Sequence, residues 1–532
     1  MGLFMQFIDS AKEQNLYGYP LFCTTLALLS FGLFLLWMKE WSIHGPTQLP
    51  IVGVESPGYF ALIKARRKFA SSGFRLVRDA YYKYHGKNFV APTSRNERVV
   101  LTSRQVKELS NAPDGVVSFY HAAGATLMAK YTGLDRFLPV GYIRDALRIK
   151  LSQDLGSMRE VILEETRFAI DCEFPRCTAD EWTSVSVFAV ILRLVARPSA
   201  RAFVGLPLCR DEDWLTISIA FSAEVLKAAD NVARVPKFLR SFWSYLFNPG
   251  KVLDSHKRKA ESLLAPIIQK RLEEESLAEK NGTVYERPND VLQVLLDRVT
   301  PHHRTPDCLA EIQMLICLAS IHSVSLVFVN TIFDLAEHQE CIQPIREEME
   351  SLISANGGVL DRMVLRKMRK TDSFCKEVSR TTVGLFNFNC MARKGLTLSD
   401  GTYLPKGTML AAPAAIFATD PDIIEHPETF DGFRWYKRSL QVREGEVNSN
   451  GWATTSPHDL VFGHGKHACP GRFFATEELK FMLTFILLQY DFKYPEGQSR
   501  PDSVYKGEFR YPNPAQKILF KKLPGPKKFS FL

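Results

Sequence analysis

The chain has 532 residues, 46% apolar and 23% charged, and a formal charge of +9. That balance excludes a disordered chain and allows a large core with a cavity for a cofactor and a substrate. No dense Lys/Arg tract interleaved with aromatics is present, which argues against nucleic acid as a partner; the surplus charge reads either as solvated surface or as attraction to anionic lipid or an acidic protein.

The first element is an uncharged apolar run, Leu21 to Met38. Its length is near the minimum for crossing a bilayer, and Tyr17, Tyr19, Trp37 and Trp41 bracket it as interfacial aromatics do. Asp9 and Glu13 precede it and Lys39-Glu40 follow it, which fits an anchor better than a cleaved signal peptide. Lys12 stands alone on the N-terminal side, whereas Lys39, Lys64, Arg66, Arg67 and Lys68 follow, so the bulk of the chain is expected in the cytosol. Pro46 and Pro50 then make a stiff hinge. The expected division is a luminal segment 1–20, a transmembrane anchor 21–38, a proline hinge 39–55 and a catalytic domain 56–532. Ten scattered cysteines without a CxxC pair point to a reducing compartment.

Helical periodicity dominates the rest of the chain, with few and short strand signals, so the fold class is mainly α with small β-sheets. Val99 to Leu101 reads as a strand, Ser255 to Lys280 as an amphipathic helix, Gly401 to Thr408 as a hairpin and Lys517 to Lys521 as a late strand. Ile312 to Phe333 contains no Asp, Glu, Lys or Arg. Hydropathy alone would make it a second membrane span. Ser320, His322, Ser323 and Ser325 cluster near its middle, which favours a buried central helix carrying a site.

The strongest motif runs from Phe462 to Arg472, just before an expected helix from Phe473 to Tyr490. Its glycines let backbone pass close to a flat cofactor, and Pro470 can enter the first helical turn. Cys469 at a helix start is favoured as a thiolate, the form an anionic axial ligand to iron requires. Glu377 and Arg380 stand at i and i+3 and share a helix face.

Together these residues resemble the cytochrome P450 family. Phe462, Gly465, Cys469 and Gly471 match every fixed position of its cysteine loop, and the resemblance runs from about residue 50 to the C-terminus. It implies a cytochrome P450 fold behind one N-terminal transmembrane helix. It also implies haem b held by the Cys469 thiolate, with Phe462 in the cofactor loop and His467, Arg393 and Arg144 at the propionates. Glu377, Arg380 and Arg434 would form a buried structural network. Leu385 to Asn389 and Arg510 to Pro514 would line the substrate cavity. At the helix centre His322 and Ser323 stand at the family's acid and alcohol positions, where dioxygen is protonated, and Ser320 replaces the usual glycine. A similar Ile-His pair occurs in a fungal branch that modifies terpenoids and related secondary metabolites.

The implied activity is a monooxygenase acting on an apolar small molecule such as a fungal terpenoid or alkaloid. Its electrons would come from NADPH through NADPH–cytochrome P450 reductase, and the protein would sit single-pass in the endoplasmic reticulum membrane, its bilayer partner. The altered helix centre keeps open a haem-thiolate isomerase or dehydratase needing no external electrons, and a non-catalytic haem sensor is a further alternative. NADPH consumption coupled to product separates the first reading from the other two.

Overall fold

The structure, a computed structural model, describes residues 49–54, 61–136, 141–153, 155–442 and 450–524, with a few positions between 24 and 32. The expected anchor and hinge therefore lie largely outside the described residues. Within the run, Leu28 and Phe31 are helical and exposed.

The main elements in chain order are α1 (Ala61–Lys83), β1 (Phe89–Pro92), β2 (Glu97–Val100), β3 (Val117–Ser118), α2 (Gly141–Arg148), α3 (Leu155–Glu173), β4 (Thr183–Ser186), α4 (Val187–Val204), α5 (Glu212–Ala233), α6 (Arg240–Phe247), α7 (Lys251–Asn281), α8 (Pro306–Glu337) and α9 (Arg369–Thr382). Then come β5 (Asn387–Ala392), β6 (Leu396–Thr397), β7 (Tyr403–Leu404), β8 (Met409–Ala412), α10 (Arg472–Gln489), β9 (Tyr490–Lys493), β10 (Val504–Lys506), β11 (Phe509–Tyr511) and β12 (Lys517–Lys522). Other helices, the longest of them Ile342–Ala355, fill the gaps.

The largest sheet has the order β1-β2-β8-β5-β3, antiparallel except for the parallel pair β2–β8. β12 pairs with β4 and β9, and β10 pairs with β11. The hairpin expected within Gly401–Thr408 is displaced. β7 pairs back to β6 across a turn at Gly401 (φ +86°), and the chain beyond Gly407 joins the large sheet as β8. The turn chemistry marked the bend, but Leu396 and Thr397 were too short a run to reveal the partner strand.

α8 organises the interior. Its first half, through Ile321, packs into one apolar core with α4, α5 and α7. Its second half, from Val324, packs into another with α4, α9 and α10. A helix threaded through two cores has to be apolar on all sides. By length and composition it could cross a membrane, but 56% of its apolar window is buried inside the protein. Between the two cores the helix opens: Ala319 and Ser323, one turn apart, are exposed, and Leu318, Ser320 and His322 are only half-buried. Nine cysteines among the described residues are free thiols, as the scattered spacing predicts.

Candidate active site

The cysteine loop is held by its own backbone and by two neighbours. Cys469 N–H donates to the Phe462 carbonyl at 2.8 Å, and Ala468 N–H to that of Gly465 at 3.1 Å. Gly463 and Gly465 take φ values of +67° and +65°, a region that glycine enters without strain. Gly465 has a second reason to lack a side chain, since a Cβ there would lie 2.4 Å from the Ser110 carbonyl oxygen. Lys466 N–H donates to that same carbonyl at 2.8 Å. At the start of the loop, Asn387 of β5 donates its side-chain amide to the Leu460 carbonyl at 2.6 Å.

Pro470 precedes the helix rather than entering its first turn, because α10 starts at Arg472 with Gly471 as its cap. Cys469 is only partly covered, yet the protein packed around its thiol pushes the pKa up; the Gly471 amide and the Arg472 charge pull it back down. Burial therefore outweighs the helix-start effect expected from sequence. A thiolate here calls for a stronger positive charge, which a bound metal ion supplies.

Glu377 is fully buried and is held from four directions. Arg380 grips both carboxylate oxygens, at 2.7 and 3.0 Å. Arg434 Nε donates at 3.2 Å, Trp435 Nε1 at 3.1 Å and the Asp431 amide at 3.2 Å. The two guanidinium groups spend their other donors on carbonyls of Ala418, Glu425, His426, Pro427 and Thr429. α9 is thus fastened to the 418–435 segment. Trp452 extends the connection: its indole N–H donates to Ser379 of α9 at 2.8 Å, and its ring packs 6.3 Å from Phe462. Neither tryptophan was singled out from sequence, because contacts 58 and 73 residues apart leave no periodic trace.

At the centre of α8, Ser323 Oγ donates to the Ala319 and Ser320 carbonyls, both at 2.9 Å, on the exposed face. His322 turns elsewhere. Its Nε2 bonds the Ile219 carbonyl of α5 at 2.9 Å, so this nitrogen carries the proton. Sequence order made the two residues neighbours, but a helix points adjacent side chains about 100° apart.

A third group gathers beside the cysteine loop. Arg144 Nη1 lies 3.6 Å from Asp114, Lys466 Nζ 3.3 Å and His467 Nε2 4.0 Å. His467 has its pKa lowered by burial first, with Asp114 opposing and Lys466 and Arg144 reinforcing. His121 is lowered by burial and then by the charge of Arg393. Arg393 leaves the end of β5 and donates its backbone amide to Val116 at 2.8 Å. Arg144, Arg393 and His467, far apart in sequence, thus converge on the segment around residues 110–121. Asp114, His121 and Lys466 join them; Lys466 lies within the cysteine-loop motif, and no sequence signal marked Asp114 or His121.

The family profile "Cytochrome P450" matches residues 143–520. The chain belongs to the cytochrome P450 family. Among curated proteins it is 37% identical to the cytochrome P450 monooxygenase AN1598 of Emericella nidulans, over 86% of this chain and 84% of that one. It is 34% identical to the cytochrome P450 monooxygenase olcJ of Penicillium canescens, over 85% and 84%. It is 28% identical to the ent-kaurene oxidase P450-4 of Gibberella fujikuroi, over 93% and 97%. A retinoic-acid-bound cyanobacterial CYP120A1 has the same fold, with a TM-score of 0.61 at 16% identity, covering 84% of this chain and 94% of that one.

A cytochrome P450 fold implies a thiolate-ligated haem, and the residues present fit that group. Arg144 Nη1 and His467 Nε2 are buried without a hydrogen-bond partner, a cost native interiors avoid unless a further group completes the set. Cations left open beside a cysteine loop suit the two carboxylates of haem b. Cys469 supplies the sulfur, and the exposed centre of α8 supplies a polar face in an otherwise apolar interior.

Proposed function

We propose that this cytochrome P450 hydroxylates, or otherwise oxidises at a C–H bond, an apolar small molecule of fungal secondary metabolism, such as a terpenoid. The observation that carries the reading is the pair of unpartnered buried nitrogens, Arg144 Nη1 and His467 Nε2, beside the Cys469 loop. Bound there, haem would supply activation of dioxygen, with the sulfur's electron push favouring O–O cleavage. The remaining work falls to the chain. Cys469 would bind the iron, Arg144, Arg393 and His467 would receive the propionates, and Phe462 closes the loop by accepting the Cys469 amide at its carbonyl. The Glu377–Arg380–Arg434 network keeps the loop's approach rigid.

Ser323 holds a proton at Oγ on the open face of α8. Turning that hydroxyl toward a reacting group gives up a back-bond to its own helix, which costs about 1 kcal/mol. His322 is committed to α5, so its part is to hold the helix centre in place rather than to hand on protons. The terpenoid assignment leans on fungal relatives, one of them named an ent-kaurene oxidase.

Electrons come from NADPH through NADPH–cytochrome P450 reductase, and the protein is anchored in the endoplasmic reticulum membrane by residues 21–38 with its catalytic domain in the cytosol. Two observations support the membrane part. The run Leu21–Met38 is uncharged. α6 exposes Phe242, Tyr245, Leu246 and Phe247 together, an apolar patch that a lipid surface would cover. The test is reconstitution with the reductase, NADPH and a panel of terpenoid hydrocarbons. Oxygenated product in proportion to NADPH consumed is expected; product formed without NADPH would refute the monooxygenase reading.

A further inference from the structure

Asp114 is an anion set among cations. Its Oδ2 faces Arg144, and its Oδ1 faces Lys466 and His467, at 3.3 to 4.0 Å. None of these contacts closes to a hydrogen bond. A carboxylate whose whole role was to neutralise its neighbours would draw at least one guanidinium or ammonium into bonding contact. Arg144 also donates its Nε to Asp145 at 3.5 Å, yet its Nη1 stays open, and a set held open this way suits cations that share their charge with a further anion.

The chain just before Asp114 is tied to the cysteine loop. Shortly upstream, the Ser110 carbonyl accepts the Lys466 amide at 2.8 Å, and Gly465 sits so close to Ser110 that no side chain fits between them. The segment that carries Asp114 is therefore docked on the cysteine loop itself. A charge carried beside this tie lies close to the loop's contents.

We propose that Asp114 is a positioning residue at the edge of the haem site, which orients Arg144 and Lys466 toward the haem carboxylates and holds down the reduction potential of the iron. The inference rests on the reading of the site as a haem site. A fixed negative charge disfavours uptake of an electron nearby, and the 42% exposure of the side chain keeps the effect moderate through solvent screening.

The test uses the full-length protein loaded with haem and titrated with dithionite in the presence of mediators, one electron converting ferric to ferrous iron. Asp114→Asn is expected to keep its haem and to move this equilibrium about threefold toward ferrous, roughly 30 mV upward at about 59 mV per tenfold. Asp114→Glu, which keeps the charge, is expected at the wild-type potential. An Asp114→Asn potential at or below wild type overturns the proposal. Should Asp114→Asn fail to hold haem, the double variant with Lys466→Gln restores the charge balance and takes over the test. Its return to the wild-type potential supports the role, and a potential equal to that of Lys466→Gln alone overturns it. The CO-bound spectrum of the reduced wild type tests the haem reading separately. Without a thiolate band both readings fall, whereas a band with an unmoved potential defeats this inference alone.

Discussion

Glu377 has no exposed surface and carries its charge between Arg380 and Arg434, with Trp435 and the Asp431 amide completing its bonds. Removing one member of such a buried pair strands the other, at about 3–5 kcal/mol. Glu377→Ala and Arg380→Ala are therefore expected to yield little haem-loaded protein, measured as haem per polypeptide after purification. Normal loading with slowed turnover would assign the pair to chemistry instead. In the sequence this pair is a common surface pattern, and only its place upstream of Cys469 made it informative. Arg434 was legible by the same family order, but Trp435 and Trp452 were not. The cysteine was legible because its glycines and proline are punctuation with a backbone meaning. Its raised pKa was not, because burial belongs to the packed state and leaves no mark on the motif.

α8 was legible as an element because a stretch without a charged residue must be buried in protein or in lipid. Which of the two could not be read from hydropathy, and the polar residues at its middle decided it. Their individual directions came only with the fold: Ser323 faces open space and His322 faces α5. Ser323→Ala is accordingly expected to keep haem and NADPH oxidation but to lower product per NADPH severalfold, with the difference appearing as hydrogen peroxide. His322→Ala is expected to lower stability by about 0.5–1.5 kcal/mol, from the lost bond to the Ile219 carbonyl, and to leave that ratio closer to wild type. A ratio changed more by His322→Ala than by Ser323→Ala would return proton delivery to the histidine.

The packing of α10 on α4 carries a separate pH signature. Glu478 is fully buried, bonded by Ser199 at 3.1 Å, and burial pushes its pKa up to about 8. The folded state thus binds this proton more tightly than the unfolded chain does. From this group, stability falls as pH rises above about 4.5 and levels off beyond about 8. Glu478→Gln is expected to show a Tm advantage that grows from pH 5 to pH 8; a difference independent of pH would mean the carboxyl is ionised in the fold.

At the scale of the whole molecule, mainly helical architecture with small sheets was legible from periodicity, while strand pairing was not, since β8 bridges β2 and β5 across large sequence separations. Orientation in a membrane has its own test. Asn281-Gly282-Thr283 closes α7 on an exposed turn, open to any glycosylation machinery that shares its compartment. With the catalytic domain cytosolic, the protein expressed in a eukaryotic host is expected to show no glycosidase-sensitive mass shift; a shift lost in Asn281→Gln would invert the topology. The catalytic expectations depend on one atom, the sulfur of Cys469, binding haem iron. The most direct measurement is the absorption spectrum of the reduced, CO-bound protein, wild type beside Cys469→Ala. The wild type is expected to show the long-wavelength thiolate band and the variant to lack it, because no nitrogen or oxygen side chain supplies the same electron push. A variant that keeps the band, or a haem-loaded wild type without it, would contradict the account.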